Sequence, residues 1–302
     1  MKKILVAIVG PTAVGKTKVS IRIASHFNTE IISADARQFY KEMNIGTATP
    51  TIPELKQVIH HLINHLSVTQ QYSAGDFEKE ALAKLEELFS HNDVVVVTGG
   101  SGLFIRALLQ GLDVFPEVSD AVIVELDRLY ELHGLESLQK LLKDKDPDYY
   151  EVVDQNNPQR LLRALAVCIS SGQPYSTFRK TKPAHRTFVP LLIGLELDRK
   201  VLYQQINERV DRMMKDGLLE EVKSLKSFAH LNPLQTVGYQ ELFDYLDDKS
   251  SLTEAVDLIK QHTRNYAKRQ MTWFRKEKDI TWFHPDQVGE IIAFIEGEMG
   301  ER

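Results

Sequence analysis

The first hundred residues alternate continuous apolar runs with segments that repeat apolar residues at helical spacing. The run at 4–9 is wholly aliphatic and stops at Gly10, as is typical of a strand buried on both faces of a parallel sheet. Shorter runs predict strands at 30–33 and 94–97, and a run at 191–197 fits a further strand. Strands that alternate with helices in this way indicate a parallel sheet covered by helices on both faces.

A long stretch in the middle of the chain, at 114–189, lacks a convincing strand pattern and shows helical periodicity instead. We interpret it as an all-helical insertion domain between two strands of the sheet. The first part of the core then occupies 1–113, and the second part, with C-terminal helices, occupies 190–302. Helices are predicted at 16–27, 119–132, 135–142, 158–170, 200–214, 218–228 and 252–276.

Composition narrows the class of protein. The chain has 302 residues, of which 43% are hydrophobic, so it can bury a real core, and this excludes a disordered or fibrous protein. The single cysteine, Cys168, can form neither an internal disulfide nor a cysteine-based zinc site, which suits a reducing compartment. The early apolar run is too short for a signal sequence or a membrane span. We expect a cytoplasmic monomer with no membrane partner.

The eight residues after the first strand fit the phosphate-binding pattern G-x-x-x-x-G-K-[ST], with a plain glycine-rich turn as the alternative. The pattern follows an aliphatic strand and precedes an amphipathic helix, which is the context that a P-loop requires. In a P-loop, backbone N–H groups and the helix N-terminus surround an anion, Lys16 adds a positive charge, and Thr17 holds a Mg²⁺. The predicted cradle consists of Gly10, Pro11, Thr12, Ala13, Val14, Gly15, Lys16 and Thr17. The fold class is therefore α/β, with a P-loop NTPase-like parallel sheet core.

The strand at 94–97 lacks the terminal carboxylate with which most P-loop hydrolases orient Mg²⁺ and water. It runs instead into Gly99-Gly-Ser-Gly102, at the sheet edge where ligands bind, with a bare turn as the alternative. The nearest strand-end carboxylate is Asp35, at the position where small-molecule kinases commonly bind their acceptor. The pattern therefore favours transfer to an acceptor. A helix cap or a Mg²⁺ ligand is the alternative role for Asp35.

Seven sequence blocks, in order along nearly the whole chain, resemble those of one family. They are Gly10 to Thr17, Asp35-Ala-Arg-Gln-Phe-Tyr40 with Asn44-Ile-Gly-Thr-Ala-Thr-Pro50, Tyr72-Ser-Ala-Gly-Asp-Phe77, Gly99-Gly-Ser-Gly-Leu-Phe104, Asn156-Asn-Pro-Gln-Arg-Leu-Leu-Arg-Ala-Leu165, Thr236-Val-Gly-Tyr-Gln-Glu241 and Tyr266-Ala-Lys-Arg-Gln-Met-Thr-Trp-Phe-Arg275. With these blocks the chain resembles the tRNA dimethylallyltransferases (isopentenyltransferases). It looks like the bacterial form, because the zinc finger of eukaryotic relatives does not follow the last block.

The resemblance implies transfer of a dimethylallyl group from dimethylallyl diphosphate to N6 of the adenosine at tRNA position 37, immediately 3′ of the anticodon. The P-loop then holds the diphosphate leaving group, and Asp35 is the candidate catalytic base. Thr17 is the expected Mg²⁺ ligand, and Arg209 is expected to place a second cation on the diphosphate. The alternative for Arg209 is a solvated side chain paired with Glu208 or Asp211.

The resemblance also implies contacts with the anticodon stem-loop of the tRNA, whose target base must leave the stack to reach the site. The family reads this base through segments that match two loops and one helix of this chain. A solvated helix face is the alternative for Arg160 and Arg163. The expected tRNA-binding residues are Asp35, Ala36, Arg37, Gln38, Ser101, Gln159, Arg160, Leu161, Leu162 and Arg163.

Three positions depart from the family pattern. The family usually has Ser at Ala36, Tyr at Phe104 and Lys at Thr49. The missing hydroxyl at position 36 removes one hydrogen bond that we would expect to the target base.

The distribution of charge changes what the net charge implies. A formal charge of −5 argues against a nucleic-acid partner, but the segments 155–195 and 260–278 each carry +6, which leaves the other 242 residues at −17. Two basic segments on an acidic protein can direct a polyanion to those places. The distribution therefore favours a tRNA partner.

Weaker signals have structural explanations that we prefer. The histidines at 60, 61 and 65 lack the carboxylate or cysteine that would complete a metal site. Cys168 is expected in a helical core, and Trp273 and Phe274 are expected to pack against the core, with stacking on RNA bases as the alternative. A small-molecule or nucleoside kinase remains the competing function, because it would share the P-loop and the acceptor carboxylate.

Overall fold

The chain forms one parallel β-sheet flanked by helices in the computed structural model, which describes residues 2–179 and 184–300. Within those residues the sheet has six strands in the order β3-β2-β4-β1-β5-β6, and every pairing is parallel. The strands are β1 (Ile4–Val9), β2 (Ile31–Ser33), β3 (His60–His61), β4 (Val94–Gly99), β5 (Val189–Leu195) and β6 (Ile280–Phe283). The predicted α/β fold class is confirmed.

Helices connect and cover the strands, and 3₁₀ turns at Tyr175–Phe178, Lys226–Phe228 and Asn232–Leu234 supplement them. The α-helices are α1 (Lys16–His26), α2 (Ile52–Leu55), α3 (Ala74–Phe89), α4 (Gly102–Gln110), α5 (Asp120–Lys145), α6 (Pro147–Tyr150), α7 (Pro158–Ser171), α8 (Arg199–Lys215), α9 (Leu218–Ser224), α10 (Gln240–Leu246), α11 (Leu252–Phe274) and α12 (Val288–Gly300). No helix in the described part of the chain combines the length and the apolar character that crossing a membrane requires.

The alternation of side chains along β1 divides the core into two layers. Leu5, Ala7 and Val9 face a layer built with α3, α4, α9, α10 and α11. Ile4 and its alternate neighbours face the opposite layer, built with α1, α8 and α12. Both layers are buried, which is why β1 is aliphatic without a break.

The register of the sheet brings three loops to one edge. Val9, at the end of β1, lies opposite Gly99 of β4 and Gly194 of β5, while Ser33 of β2 lies opposite Thr98. The loops that follow β1, β2 and β4 therefore leave the sheet side by side. Ligands bind at this carboxyl edge in open parallel sheets.

The chain divides into two compact units, one formed by 1–110 with 185–302 and the other by 111–184. The insertion domain at 114–189 stays a prediction; the second compact unit ends at 184, five residues before the predicted C-terminal end. Arg186 donates hydrogen bonds to Glu78 and to the carbonyl oxygens of Ala107 and Leu108, so it belongs to the first unit. Lys180 and Lys182 of the predicted basic segment lie outside the described residues.

In its described residues the second unit contains helices and no strand. Its core is built from α5 and α7, including Leu138, Leu142 and Leu165. We predicted two helices at 119–132 and 135–142; the structure has α5 over both, interrupted at Gly134, whose φ is +69°. The interruption between the two predicted segments is thus a local change in backbone direction.

The sequence patterns missed several short or late elements. The strand β6 was not predicted, because its four residues lie between a charged segment and a proline. The helices α3, α4, α10 and α12 were also not predicted. The predicted helix at 218–228 ends at Ser224 and continues as the 3₁₀ turn Lys226–Phe228.

Candidate active site

The phosphate-binding pattern forms a tight loop between β1 and α1. Gly10 and Gly15 have φ angles of +144° and +101°, which L side chains rarely adopt, and a Cβ on Gly10 would lie 2.6 Å from the carbonyl oxygen of Leu195. Gly15 is the N-cap of α1, so the N–H groups that begin the helix have no partner within it. The loop therefore has the backbone geometry of an anion cradle.

Two cationic side chains approach this loop. Lys16 Nζ donates to the carbonyl oxygens of Gly10 at 3.0 Å and Pro11 at 2.8 Å, and burial lowers the pKa of Lys16 to about 8. The carboxylate of Asp35 opposes that shift, and the charge of Arg209 adds to it. Two nearby cations that repel each other favour a bound anion, because the anion relieves the repulsion.

Arg209 lies on α8 and reaches the same loop. Its Nη1 is 3.3 Å from Thr12 Oγ1, and burial lowers the pKa of its guanidinium. The alternative of a solvated ion pair is not seen within the described residues, because Glu208 accepts from Gln204 and Asp211 pairs with Lys260. The structure thus places Arg209 beside the predicted phosphate site.

Asp35 lies in the loop after β2, at the same sheet edge. Its Oδ1 accepts a hydrogen bond from the Arg37 N–H at 3.1 Å, and its other oxygen has no hydrogen-bond partner among the described residues. The charge of Asp35 acts on both Lys16 and Arg209. A carboxylate with a free oxygen therefore lies next to the cationic loop.

The loop after β4 supports the loop after β2. Ser101 Oγ accepts from the Ala36 N–H at 3.0 Å, and the side chain of Ser101 also influences the pKa of the Tyr266 phenol. Burial, and next the charge of Asp35, raise the pKa of Tyr266 to about 12. The Gly99 to Gly102 turn is therefore part of the site, and Tyr266 is a site residue that the sequence patterns did not single out.

Gln38 uses its amide inside the protein. Its Nε2 donates to the carbonyl oxygens of Thr47 and Ala48 at 3.2 and 3.1 Å, and its Oε1 accepts from Ser33. Gln38 stays a predicted tRNA contact, and in this structure both N–H donors of its amide are engaged within the protein.

The segment that holds Gln38 is itself fixed by a helix far along the chain. Glu221 on α9 accepts from the N–H groups of Asn44, Ile45 and Gly46 and from the hydroxyl of Tyr239. A Cβ on Gly46 would meet the Tyr239 ring at 2.5 Å. Two of the sequence blocks thus pack on each other.

Arg37 also makes an internal contact. Its Nη1 donates to the carbonyl oxygen of Asn232 at 3.3 Å, and burial lowers the pKa of its guanidinium.

The remaining predicted tRNA contacts lie on α7 in the second unit. Gln159, Arg160 and Arg163 are exposed, and the guanidinium of Arg163 lies 5.6 Å from the ring centroid of Phe115. Leu161 is fully buried in the core of this unit, so its side chain is not available to RNA in this structure. Leu162 is half-buried.

The helix α11 contributes a surface groove lined by Lys268, Arg269, Trp273 and Lys276. We expected Trp273 and Phe274 to share one environment, but Phe274 is 2% exposed in the core and Trp273 is 36% exposed. The indole packs closely over Gly102, where an added Cβ would be 2.1 Å from its nitrogen.

The neighbouring histidines His60 and His61 contact groups within the protein. His60 Nδ1 hydrogen-bonds to the carbonyl oxygen of Val58, and His61 pairs with Glu30. No group of three or more His, Cys, Asp or Glu side chains suited to a metal occurs in the described part of the chain. Cys168 is buried.

Comparison with known proteins identifies the family. The family model described as IPP transferase matches residues 38–277, which is more than half of the chain. The tRNA dimethylallyltransferase of Christiangramia forsetii is 49% identical over 300 residues, with 99% of both chains covered. The tRNA dimethylallyltransferase 1 of Bacteroides thetaiotaomicron is 47% identical over 291 residues, with 96% of this chain and 94% of that protein covered. The chain belongs to the IPP transferase family.

Solved structures place the fold in the same family. A tRNA isopentenylpyrophosphate transferase of Bacillus halodurans has a TM-score of 0.73 at 36% identity and covers 98% of this chain and 96% of its own. A eukaryotic dimethylallyltransferase acting on tRNA has a TM-score of 0.81 at 25% identity, with 94% of this chain and 74% of that chain covered. These IPP transferase matches do not support the kinase alternative.

Proposed function

We propose that this protein transfers a dimethylallyl group from dimethylallyl diphosphate to N6 of the adenosine at tRNA position 37, releasing diphosphate. The observation that carries the proposal is the position of Asp35 beside the P-loop cations, at one sheet edge. A site for an anionic leaving group and a carboxylate that can take a proton are thereby adjacent. The relatives named as tRNA dimethylallyltransferases support the same reaction.

The leaving-group side stabilises charge. As the bond between the prenyl carbon and the diphosphate oxygen breaks, negative charge grows on the diphosphate. Lys16 and Arg209 are already placed at the loop, so their charges are close to the diphosphate as that negative charge develops. The N–H groups at the start of α1 carry partial positive charge, so they also stabilise the negative charge on the diphosphate.

The acceptor side removes a proton. The N6 lone pair of adenine is delocalised into its ring, so the amine becomes a better nucleophile if it loses a proton as the C–N bond forms. The free carboxylate oxygen of Asp35 is the base in this proposal, and the Arg37 N–H holds the other oxygen. The proton ends on Asp35 and the electron pair of the broken bond ends on the diphosphate.

The residues present fit a Mg²⁺ ion bound together with the diphosphate. Mg²⁺ commonly takes one or two protein oxygens and completes its shell with phosphate and water oxygens. Thr17 is the second residue of α1, and its hydroxyl has no hydrogen-bond partner among the described residues. We therefore propose this hydroxyl as the protein ligand of the ion. The ion would supply further charge stabilisation for the departing diphosphate.

For the tRNA, we propose contacts from the exposed residues Gln159, Arg160 and Arg163 and from the groove on α11. Lysine and arginine bind the phosphate backbone, and an exposed Trp offers a ring on which a base can stack. Since Ala36 and Gln38 use their donors internally, the base is better recognised by backbone groups and by Ser101. We also propose that the protein acts in the cytoplasm as a monomer.

The experiment that tests the function supplies the protein with unmodified tRNA and either dimethylallyl diphosphate labelled in the prenyl group or ATP labelled in the γ-phosphate. The proposal predicts that label enters tRNA from dimethylallyl diphosphate alone, in the nucleoside 3′ of the anticodon. A tRNA with guanosine at position 37 is the matched control and should remain unlabelled. Label that enters only from ATP, or from neither donor, would overturn the proposal.

A further inference from the structure

Gln270 is a buried polar side chain that joins two loops of the site. It lies on α11, is 6% exposed, and extends between the P-loop and the loop after β4. Its Oε1 accepts from the Thr12 N–H at 2.8 Å, and its Nε2 donates to the carbonyl oxygen of Gly100 at 2.9 Å. Both ends of the carboxamide are therefore engaged with backbone.

The first of these bonds removes one donor from the anion cradle. The Val14 N–H is also engaged, because it points to the carbonyl oxygen of Pro11 at 3.4 Å. The N–H groups of Lys16, Thr17 and Lys18, at the start of α1, have no partner within the helix and stay available. Free donors therefore lie at the helix end of the loop, while the Thr12 N–H is engaged by Gln270.

The second bond connects the cradle with the acceptor side. Gly100 precedes Ser101, which accepts from the Ala36 N–H next to Asp35. A Cβ on Gly100 would lie 2.2 Å from Gln270 Nε2, so the amide fits only because this position is glycine. One side chain therefore sets the spacing of the two loops.

We propose that Gln270 is a positioning residue that fits the cradle to a diphosphate and disfavours a triphosphate. The carboxamide takes the N–H that a third phosphate would otherwise use, and it fixes the leaving-group loop against the acceptor loop. This inference rests on the proposed function for the identity of the donor. Its test measures phosphate binding directly, so it does not depend on prenyl transfer.

The test is calorimetric titration of inorganic pyrophosphate and tripolyphosphate, with Mg²⁺ present, into the full-length protein and its variants. Gln270→Ala removes both bonds, and Gly100→Ala displaces the amide from the opposite side. In each variant we expect the preference for pyrophosphate over tripolyphosphate to fall about ten- to hundredfold, the range for one hydrogen bond to a charged group. Gln240→Ala, an exposed glutamine on α10, is the matched control and should leave the preference unchanged.

Two further variants keep the test decisive. Gln270→Met preserves most of the volume without either bond, so it separates lost hydrogen bonds from a cavity if Gln270→Ala fails to fold. In the Gln270→Ala background, Gly100→Ala should change the preference less than about twofold, because the amide it would displace is gone. A folded Gln270→Met and a folded Gly100→Ala that both keep the original preference would overturn the proposal.

The outcomes also separate this inference from the proposed function. A preference that depends on Gln270 in a protein that transfers no dimethylallyl group would leave the inference standing and overturn the function. Prenyl transfer by variants whose phosphate preference is unchanged would support the proposed function and overturn this inference.

Discussion

The leaving-group and acceptor sides of the site lie at one sheet edge but use their polar groups differently. At the P-loop, Lys16 and Arg209 contact neutral backbone or hydroxyl oxygens, so their charges are not paired with a carboxylate within salt-bridge distance among the described residues. In the loop after β2, Ala36 and Gln38 have their donors bound by the protein itself. The first side offers charge to a ligand, whereas the second offers a fixed shape with one reactive carboxylate.

Because the two sides use different groups, we expect variants of one side to change diphosphate binding and variants of the other to change turnover. Loss of a charge at the P-loop should weaken binding of any diphosphate. Loss of the carboxylate at the acceptor side should stop chemistry without weakening diphosphate binding. Small changes of shape at the acceptor side should have small effects on kcat/KM for tRNA.

The largest effect is expected for Asp35→Asn. The amide oxygen of Asn can still accept from the Arg37 N–H, so the turn is preserved while the base is lost. We expect kcat for prenyl transfer to fall by about two to four orders of magnitude. Pyrophosphate affinity, measured by calorimetry, should stay within about threefold if only the base is lost.

The matched control is Asp257→Asn, an exposed aspartate on α11, which should retain full turnover. Near-normal turnover by Asp35→Asn would make Asp35 a turn residue and would remove the contrast between the two sides.

Arg209→Met should have the next largest effect and the opposite character. Removing this cation should lower pyrophosphate affinity and kcat/KM for dimethylallyl diphosphate by about ten- to thousandfold, because growing charge on the leaving group loses a partner. Arg209→Lys should restore part of the loss. The neighbouring exposed Arg212→Met is the control, and an equal loss in that variant would indicate a general field effect.

The pH dependence of kcat/KM should show the deprotonation of Lys16. With a pKa of about 8, Lys16 is charged below that pH and neutral above it, so kcat/KM for dimethylallyl diphosphate should fall about tenfold per pH unit above 8. Lys16→Met should be less active and should lack this decline between pH 8 and 10. A decline that persists in Lys16→Met would assign it to another group.

The contribution of Lys16 to the free energy of unfolding should rise with pH above 8, whereas kcat/KM falls. The folded pKa of Lys16 lies below its ordinary value of 10.5, so between pH 8 and 10.5 the unfolded chain binds more protons and this residue makes folding more favourable as pH rises. The measurement is the Tm of wild type and of Lys16→Met between pH 8 and 10.5. The Tm of wild type should rise relative to that of Lys16→Met as the pH increases.

The smallest effect is expected for Ala36→Ser, which restores the residue that the family usually carries. Since the Ala36 N–H is already held by Ser101, the new hydroxyl adds at most one hydrogen bond to the base. We expect kcat/KM for tRNA to rise by less than about tenfold, with KM for dimethylallyl diphosphate unchanged. A larger rise would mean that side chains, and not the fixed loop, dominate recognition of the base.

Local patterns predicted the parts of the site that are local in sequence. The P-loop and Asp35 follow directly from strands whose ends are visible in the apolar pattern. Tyr266 and Gln270 were missed, because they reach the loops from a helix more than 160 residues away in sequence. A signal for Gln270 exists, since it lies at helical spacing between the buried Ala267 and Phe274, where a polar residue needs a partner.

For other residues the sequence does not state whether the side chain is buried, and so it could not decide their partners. Leu161 lies in a block that resembles the family's tRNA contacts, yet its side chain completes the core of the helical unit. The amide of Gln38 is suited to an adenine edge and equally suited to two carbonyl oxygens nearby. Chemical suitability identified the right loop but could not decide which partner each group binds.

The contact between Thr12 and Gln270 joins residues that are 258 positions apart, and this has a consequence for synthesis of the protein. The ribosome makes the P-loop before α11, so a nascent chain carries an anion-binding loop without the side chain that completes it. Arg209 likewise emerges long after Lys16. The assembled site can therefore form only after α11 has been translated, and a product truncated before α11 would hold the phosphate pattern without the geometry for transfer.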